Sequence, residues 1–164
     1  MSTKIEFIGN YDLSGRDLFF LGLDSVEETP KEIKLTSEHF ACLIAWDSEN
    51  ASVEQISKLV ETIILNGAGY ICCWGKGCQR VHDIADEIDS YPYKLYGSPD
   101  GSVIMTTWHE DESLEEVMWF FLNVTNPDTY YEKSLNSNLV ISIGNKTWDE
   151  SILKLLQNPD SLRI

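Results

Sequence analysis

The sequence predicts an α/β fold: a three-layer sandwich with a mainly parallel central sheet, Rossmann-like or flavodoxin-like, with edge strands from the N-terminal region. Three observations carry this expectation. Four short apolar runs, FACLIAW (40–46), GYICCW (69–74), SVIMTT (102–107) and NLVISI (138–143), are continuous in hydrophobicity rather than alternating. Strands covered on both faces read this way. A helix-spaced apolar pattern follows each run. The resulting order, β-α four times over, demands parallel strands joined by right-handed crossovers.

The elements follow in order. KIEFI (4–8) and DLFFLGL (17–23) read as strands at a sheet edge. After the first apolar run, Val53, Ile56, Leu59, Val60, Ile63 and Ile64 share one helical face. Ser52 and Gln55 form a capping box ahead of it, and Asn66-Gly67 stops it. After the second, Val81, Ile84, Ala85 and Ile88 mark a helix ending near Tyr91-Pro92. After the third, Ser113 and Glu116 cap a helix carrying Leu114, Val117, Met118, Phe121 and Leu122. After the fourth, Thr147 and Glu150 read as the cap of a helix with Ile152, Leu153, Leu155 and Leu156. The segments 91–101 and 126–137 are Pro-, Asp-, Asn- and Tyr-rich connections. Residues 1–164 read as one domain, with irregular strands over 1–36 and the four β-α units over 37–164.

Composition narrows the function. With 12 basic and 27 acidic residues the formal net charge is −15. That charge opposes DNA or RNA binding, since phosphate neutralisation supplies most of such affinity, and it steers a cationic partner inward. Hydrophobic residues make up 43% of the chain, so its acidity does not signal disorder. No apolar run approaches the ~20 residues that span a bilayer. The opening MSTKIEF lacks a basic region followed by an apolar stretch, so a cytoplasmic protein is expected. Cys42, Cys72, Cys73 and Cys78 include no CxxC pair and read as reduced, mostly buried thiols. Cys72 and Cys73, adjacent in a strand, point to opposite faces.

In open α/β sheets, sites form beyond the carboxyl ends of the strands. There the sequence sets Trp46-Asp47-Ser48, Trp74-Gly75-Lys76-Gly77-Cys78, Trp108-His109-Glu110-Asp111 and Gly144-Asn145-Lys146. Trp46, Trp74 and Trp108 thus take equivalent positions on one edge of the sheet. They either plug it or wall a pocket or partner-binding patch. Cys78, in a first helical turn beside Lys76, is placed for a lowered thiol pKa. With Asp47 and His109 it makes a conceivable nucleophile, base and orienter. An Asp, a Lys and a Cys on successive strand ends resemble, in layout only, the isochorismatase-like cysteine hydrolases. Cys78 and His82 lie one turn apart but give only half a zinc motif. Gly75-Lys76-Gly77 is neither GxGxxG nor a Walker loop and reads as a tight turn, so no cofactor and no metal is expected. Glu110, Asp111, Glu112, Glu115 and Glu116 crowd seven residues, more acid than a helix dipole calls for. Asp83, Asp86, Glu87 and Asp89 form a second acidic group.

The segments HFACLIAWD, GYICCWGKGCQRVHD and TTWHEDESLEEVMWFFLN resemble a small uncharacterised bacterial family of unknown function, over roughly residues 39–126. The resemblance implies a soluble bacterial protein and carries no activity with it. The pairs Trp46-Asp47, Trp74-Gly75 and Trp108-His109 are the positions it marks as site candidates.

Two functions are expected from these readings. The first is an acidic protein-binding module. It would be an inhibitor or immunity protein that neutralises a basic partner such as a nuclease toxin domain. Trp46, Asp47, Trp74, Trp108, Glu110, Asp111, Glu112, Glu115 and Glu116 would contact that partner, without nucleic acid or membrane. The second is a small enzyme or ligand-binding protein using the strand-end crevice, with Asp47, Lys76, Cys78 and His109 as its reactive groups.

Overall fold

The computed structural model describes residues 4–90 and 101–162. Strands β1 (Glu6–Tyr11) and β2 (Arg16–Leu23) open the chain. Then come β3 (His39–Trp46), α1 (Val53–Leu65), β4 (Ala68–Trp74), α2 (Cys78–Asp89), β5 (Met105–His109), α3 (Leu114–Asn123), β6 (Leu135–Ile143) and α4 (Lys146–Gln157). The strands form one six-stranded sheet in the order β1-β2-β6-β3-β4-β5. Only the β1–β2 pair is antiparallel.

Counted from β3, the four β-α units run 3-2-1-4 across the sheet, the fourth strand falling on the other side of the first. The N-terminal strands do not both lie at the edge as the sequence suggests. Only β1 does, while β2 is inserted between β1 and β6 and runs parallel to β6 from Asp17↔Ser137 to Leu23↔Ile143. Its run Leu18–Leu21 is buried, as an interior strand covered on both faces requires.

Local chemistry sets the helix starts. Both expected capping boxes are present: Ser52 with Gln55 on α1, and Ser113 with Glu116 on α3. The cap of α4 is not Thr147. Asn145 accepts the Trp148 N–H at 3.1 Å, so the helix begins two residues sooner. The stop at Asn66-Gly67 holds, and Gly67 has φ +112°. The expected end of α2 at Tyr91-Pro92 lies outside the described residues; α2 itself ends at Asp89.

The register decides the faces, because paired residues of neighbouring strands project to the same side and successive ones alternate. Ala45 pairs Trp74, which pairs His109, while Cys73 pairs Trp108. Trp74 meets Trp148 of α4 and His109 meets Phe120 of α3. On the opposite face, Trp108 meets His82 of α2, and α1 packs on α2. Cys72 and Cys73 point to opposite faces, and both are buried. The core is led by wholly buried Phe40, Phe121, Leu43, Ile44, Ile63 and Met118, each stabilising the fold by roughly 1.5–3 kcal/mol of transfer free energy.

Candidate functional site: a crevice at the strand ends

The first unit runs outward through β4 and β5, and the chain then returns to place β6 on the other side of β3. The loops leaving β3 and β6 therefore diverge, and a crevice opens between them. It has a volume of about 330 Å³ and is lined by Trp46 and Trp148, the carboxylates of Asp24, Glu27 and Asp47, and Asn145. Among the described residues no basic side chain lines it, but Lys146 Nζ pairs with the Asp24 carboxylate at 3.1 Å. Trp46 is the last residue of β3 and largely buried. Trp148 stands edge-on to Trp74, ring centroids 4.8 Å apart. Trp74 is fixed in turn by donating its indole N–H to the Glu112 carbonyl at 2.8 Å. Glu27 accepts the side-chain N–H of Gln55 at 2.6 Å, which holds its carboxyl below the ordinary range.

The three strand-end tryptophans do not form one wall. Trp46 and Trp108 project from one face and Trp74 from the other. Trp46 lines the crevice, Trp74 supports it through Trp148, and Trp108 lies on the edge strand, 43% exposed, against His82. Trp46 and Trp74 close β3 and β4 while Trp108 lies one residue inside the end of β5, so similar sequence positions do not give equal faces, because each strand ends at its own phase of the alternation.

Asp47 and Lys76 are brought together, but by backbone. The Lys76 N–H donates to Asp47 Oδ1 at 2.9 Å, and the Ser48 N–H donates to the Lys76 carbonyl at 2.8 Å. Arg80 donates to the carbonyls of Ser48, Glu49 and Ala51. The Gly75-Lys76-Gly77 turn is thus clamped to the β3–α1 loop. A Cβ on Gly75, at φ +113°, would lie 2.3 Å from the Trp46 carbonyl oxygen. The tight-turn reading is the one the geometry matches.

The groups of the alternative nucleophile reading, Cys78 with His109 and Asp47, are not brought together. Cys78 is the first residue of α2 but is buried, and burial pushes its thiol up. The His109 backbone N–H at the sulfur lowers it by less, and Glu110 and Asp111 raise it further. Desolvation here outweighs the helix terminus. The His109 ring lies on the other face of the sheet. Its Nδ1 is 2.9 Å from Glu112 Oε1 and its Nε2 2.9 Å from Thr107 Oγ1, so both nitrogens are engaged. His82 is held by Asp83 at 2.9 Å and Asp86 at 3.5 Å. Among the described residues, no three His, Cys, Asp or Glu side chains are grouped to hold a metal.

The acidic stretch divides by role. Glu116 closes the α3 capping box and Glu112 binds His109. Glu110, Asp111 and Glu115 are exposed, at the same end of the sheet as the crevice. Asp24, Glu27 and Trp148 are crevice residues that the sequence reading missed, whereas Asn145 stands among the strand-end positions it named. Asp24 follows β2 directly, and would have stood with the strand-end residues had β2 been counted among the parallel strands. Trp148 sits three residues after the cap of α4, a position legible only once Asn145 is known to be that cap.

A family model described as a domain of unknown function (DUF7684) matches residues 19–159. No curated protein matches the chain.

Proposed function

Because the chain belongs to the DUF7684 family, a domain of unknown function, we propose its role from the site itself: an acidic protein-binding module whose strand-end crevice receives a cationic side chain of a basic partner. One observation carries the reading. Two indoles and three carboxylates line the crevice with no basic residue among its described lining, and of the three carboxylates Asp24 pairs with Lys146. Aromatic faces and carboxylates together favour a guanidinium or ammonium, by cation–π attraction of roughly 0.5–2 kcal/mol and by charge. The exposed Glu110, Asp111 and Glu115 extend the same field along that end of the sheet, and the net charge of −15 adds long-range steering. A nuclease-type toxin domain has the complementary chemistry, since its surface is basic in order to bind phosphate. On this reading the chain is its inhibitor. We read the layering around its four β-α units as Rossmann-like. The enzyme alternative draws less support, because the Cys78 thiol is buried and the His109 ring is fully engaged.

Tryptophan fluorescence of the full chain, titrated with an arginine-rich peptide at low and moderate ionic strength, tests the reading. Expected are a saturable change weakened by salt, its loss in Trp148→Ala, and weaker binding in Asp24→Asn, whose side chain is exposed. Peptide binding of unchanged strength in both folded variants would sink the crevice as the docking point.

A further inference from the structure

A second site lies at the opposite end of the sheet, where Arg16 opens β2. Its Nη1 donates to Thr125 Oγ1 at 2.8 Å and to Asn138 Oδ1 at 3.1 Å, and its Nη2 to the Thr125 carbonyl at 2.8 Å. All three acceptors are neutral. Among the described residues no carboxylate is within ion-pair distance of this guanidinium. Burial lowers its pKa, with nothing opposing that shift. Arginine nevertheless stays charged, and Arg16 is partly buried, so a half-desolvated cation lacks a counter-charge among the described residues.

A guanidinium has five N–H donors, and the three bonds leave Nε–H and one Nη2–H. These two lie side by side, on the edge that grips an oxyanion with two parallel hydrogen bonds. Arg16 lines an open cavity of about 210 Å³ between the β1–β2 turn and the C-terminal end of α3, together with Ser14, Asn123 and Asn126. Among the described residues no acidic one lines this cavity, in a chain with more than twice as many acidic as basic residues. Beneath it, wholly buried Asn138 spends its oxygen on Arg16 and leaves its Nδ2 without an acceptor.

We propose that this cavity binds a small oxyanion, a carboxylate or a phosphate group, on the free edge of Arg16. The site is independent of the crevice and of the partner proposed there. Because Arg16 also ties the α3–β6 connection through Thr125, its replacement risks the fold. Asn126 is exposed, and Asn126→Asp instead places a competing carboxylate in the cavity. The experiment is NMR observation of the Arg16 Nε–H in the full chain. Sodium acetate and inorganic phosphate are titrated separately, with sodium chloride holding ionic strength constant. A saturable shift is expected, weakened roughly tenfold or more in Asn126→Asp, the scale of one charge-assisted hydrogen bond. Response to acetate alone assigns a carboxylate ligand, and response to phosphate alone a phosphate group. No saturable shift with either anion, or an unchanged one in Asn126→Asp, overturns the proposal.

Discussion

The backbone N–H of Lys76 donates to Oδ1 of Asp47 at 2.9 Å, and this bond ties the loop leaving β4 to the loop leaving β3. It holds one wall of the crevice and uses a backbone donor that a phosphate would otherwise need. Asp47→Ala is expected to cost about 1 kcal/mol, the usual net worth of an intramolecular hydrogen bond, since solvent at the exposed site weakens the contribution of the charge. Urea denaturation reads this directly, and an unchanged midpoint would mean that the loops are held without it.

The same junction predicts a sharp contrast between two glycines. Gly75 has φ +113° and meets the Trp46 carbonyl, whereas Gly15 has φ +75° and nothing within 4 Å of an added Cβ. Gly15→Ala should lose only about 1–2 kcal/mol, the left-handed backbone cost. Gly75→Ala should lose about 3 kcal/mol or more, because backbone must move as well. Thermal melts of the two variants, compared side by side, decide the point. Equal losses would remove the close approach as the reason for Gly75.

The thiols make a pH prediction. Cys42, Cys72, Cys73 and Cys78 are buried, and desolvation raises each above its ordinary 9.0, Cys72 to about 12. Tyr70 rises from 10.0 to about 12 for the same main reason. The folded state thus holds these protons more tightly than the unfolded state. Their contribution is fully present below pH 9 and is lost as pH rises through the ordinary thiol range towards the folded values. Denaturant midpoints should fall steadily above pH 9. At neutral pH a thiol reagent should label none of the four quickly in the native protein and all four in denaturant. Fast labelling of Cys78 would restore an activated thiol there.

Charge reversal separates the acids by role. Glu110→Lys with Asp111→Lys should slow association with an arginine-rich peptide by roughly tenfold at low salt and leave the fold intact. Glu112→Lys should additionally lower the melting temperature, because Glu112 holds His109. Stopped-flow rates and melting curves distinguish the two effects. An unchanged association rate in the double variant removes the β5–α3 loop from the docking surface.

The sequence by itself determined the four β-α units, two capping boxes and the parallel sheet. These rest on local periodicity and on cap chemistry, which neighbouring residues write directly. It also determined that Cys72 and Cys73 part to opposite faces, since alternation is a property of the strand. The tertiary structure alone decided which strand-end residues meet. Strand order put β6 beside β3 and β2 beside β6, and so set Trp148 and Asp24 with Trp46 instead of Trp108. It also decided the chemistry of Cys78 and His109. A thiol at a helix start and a histidine at a strand end carry no local mark of burial or of which face they take. Their desolvation and hydrogen-bond partners come from chain segments far away, and these outweigh what the adjacent residues suggest.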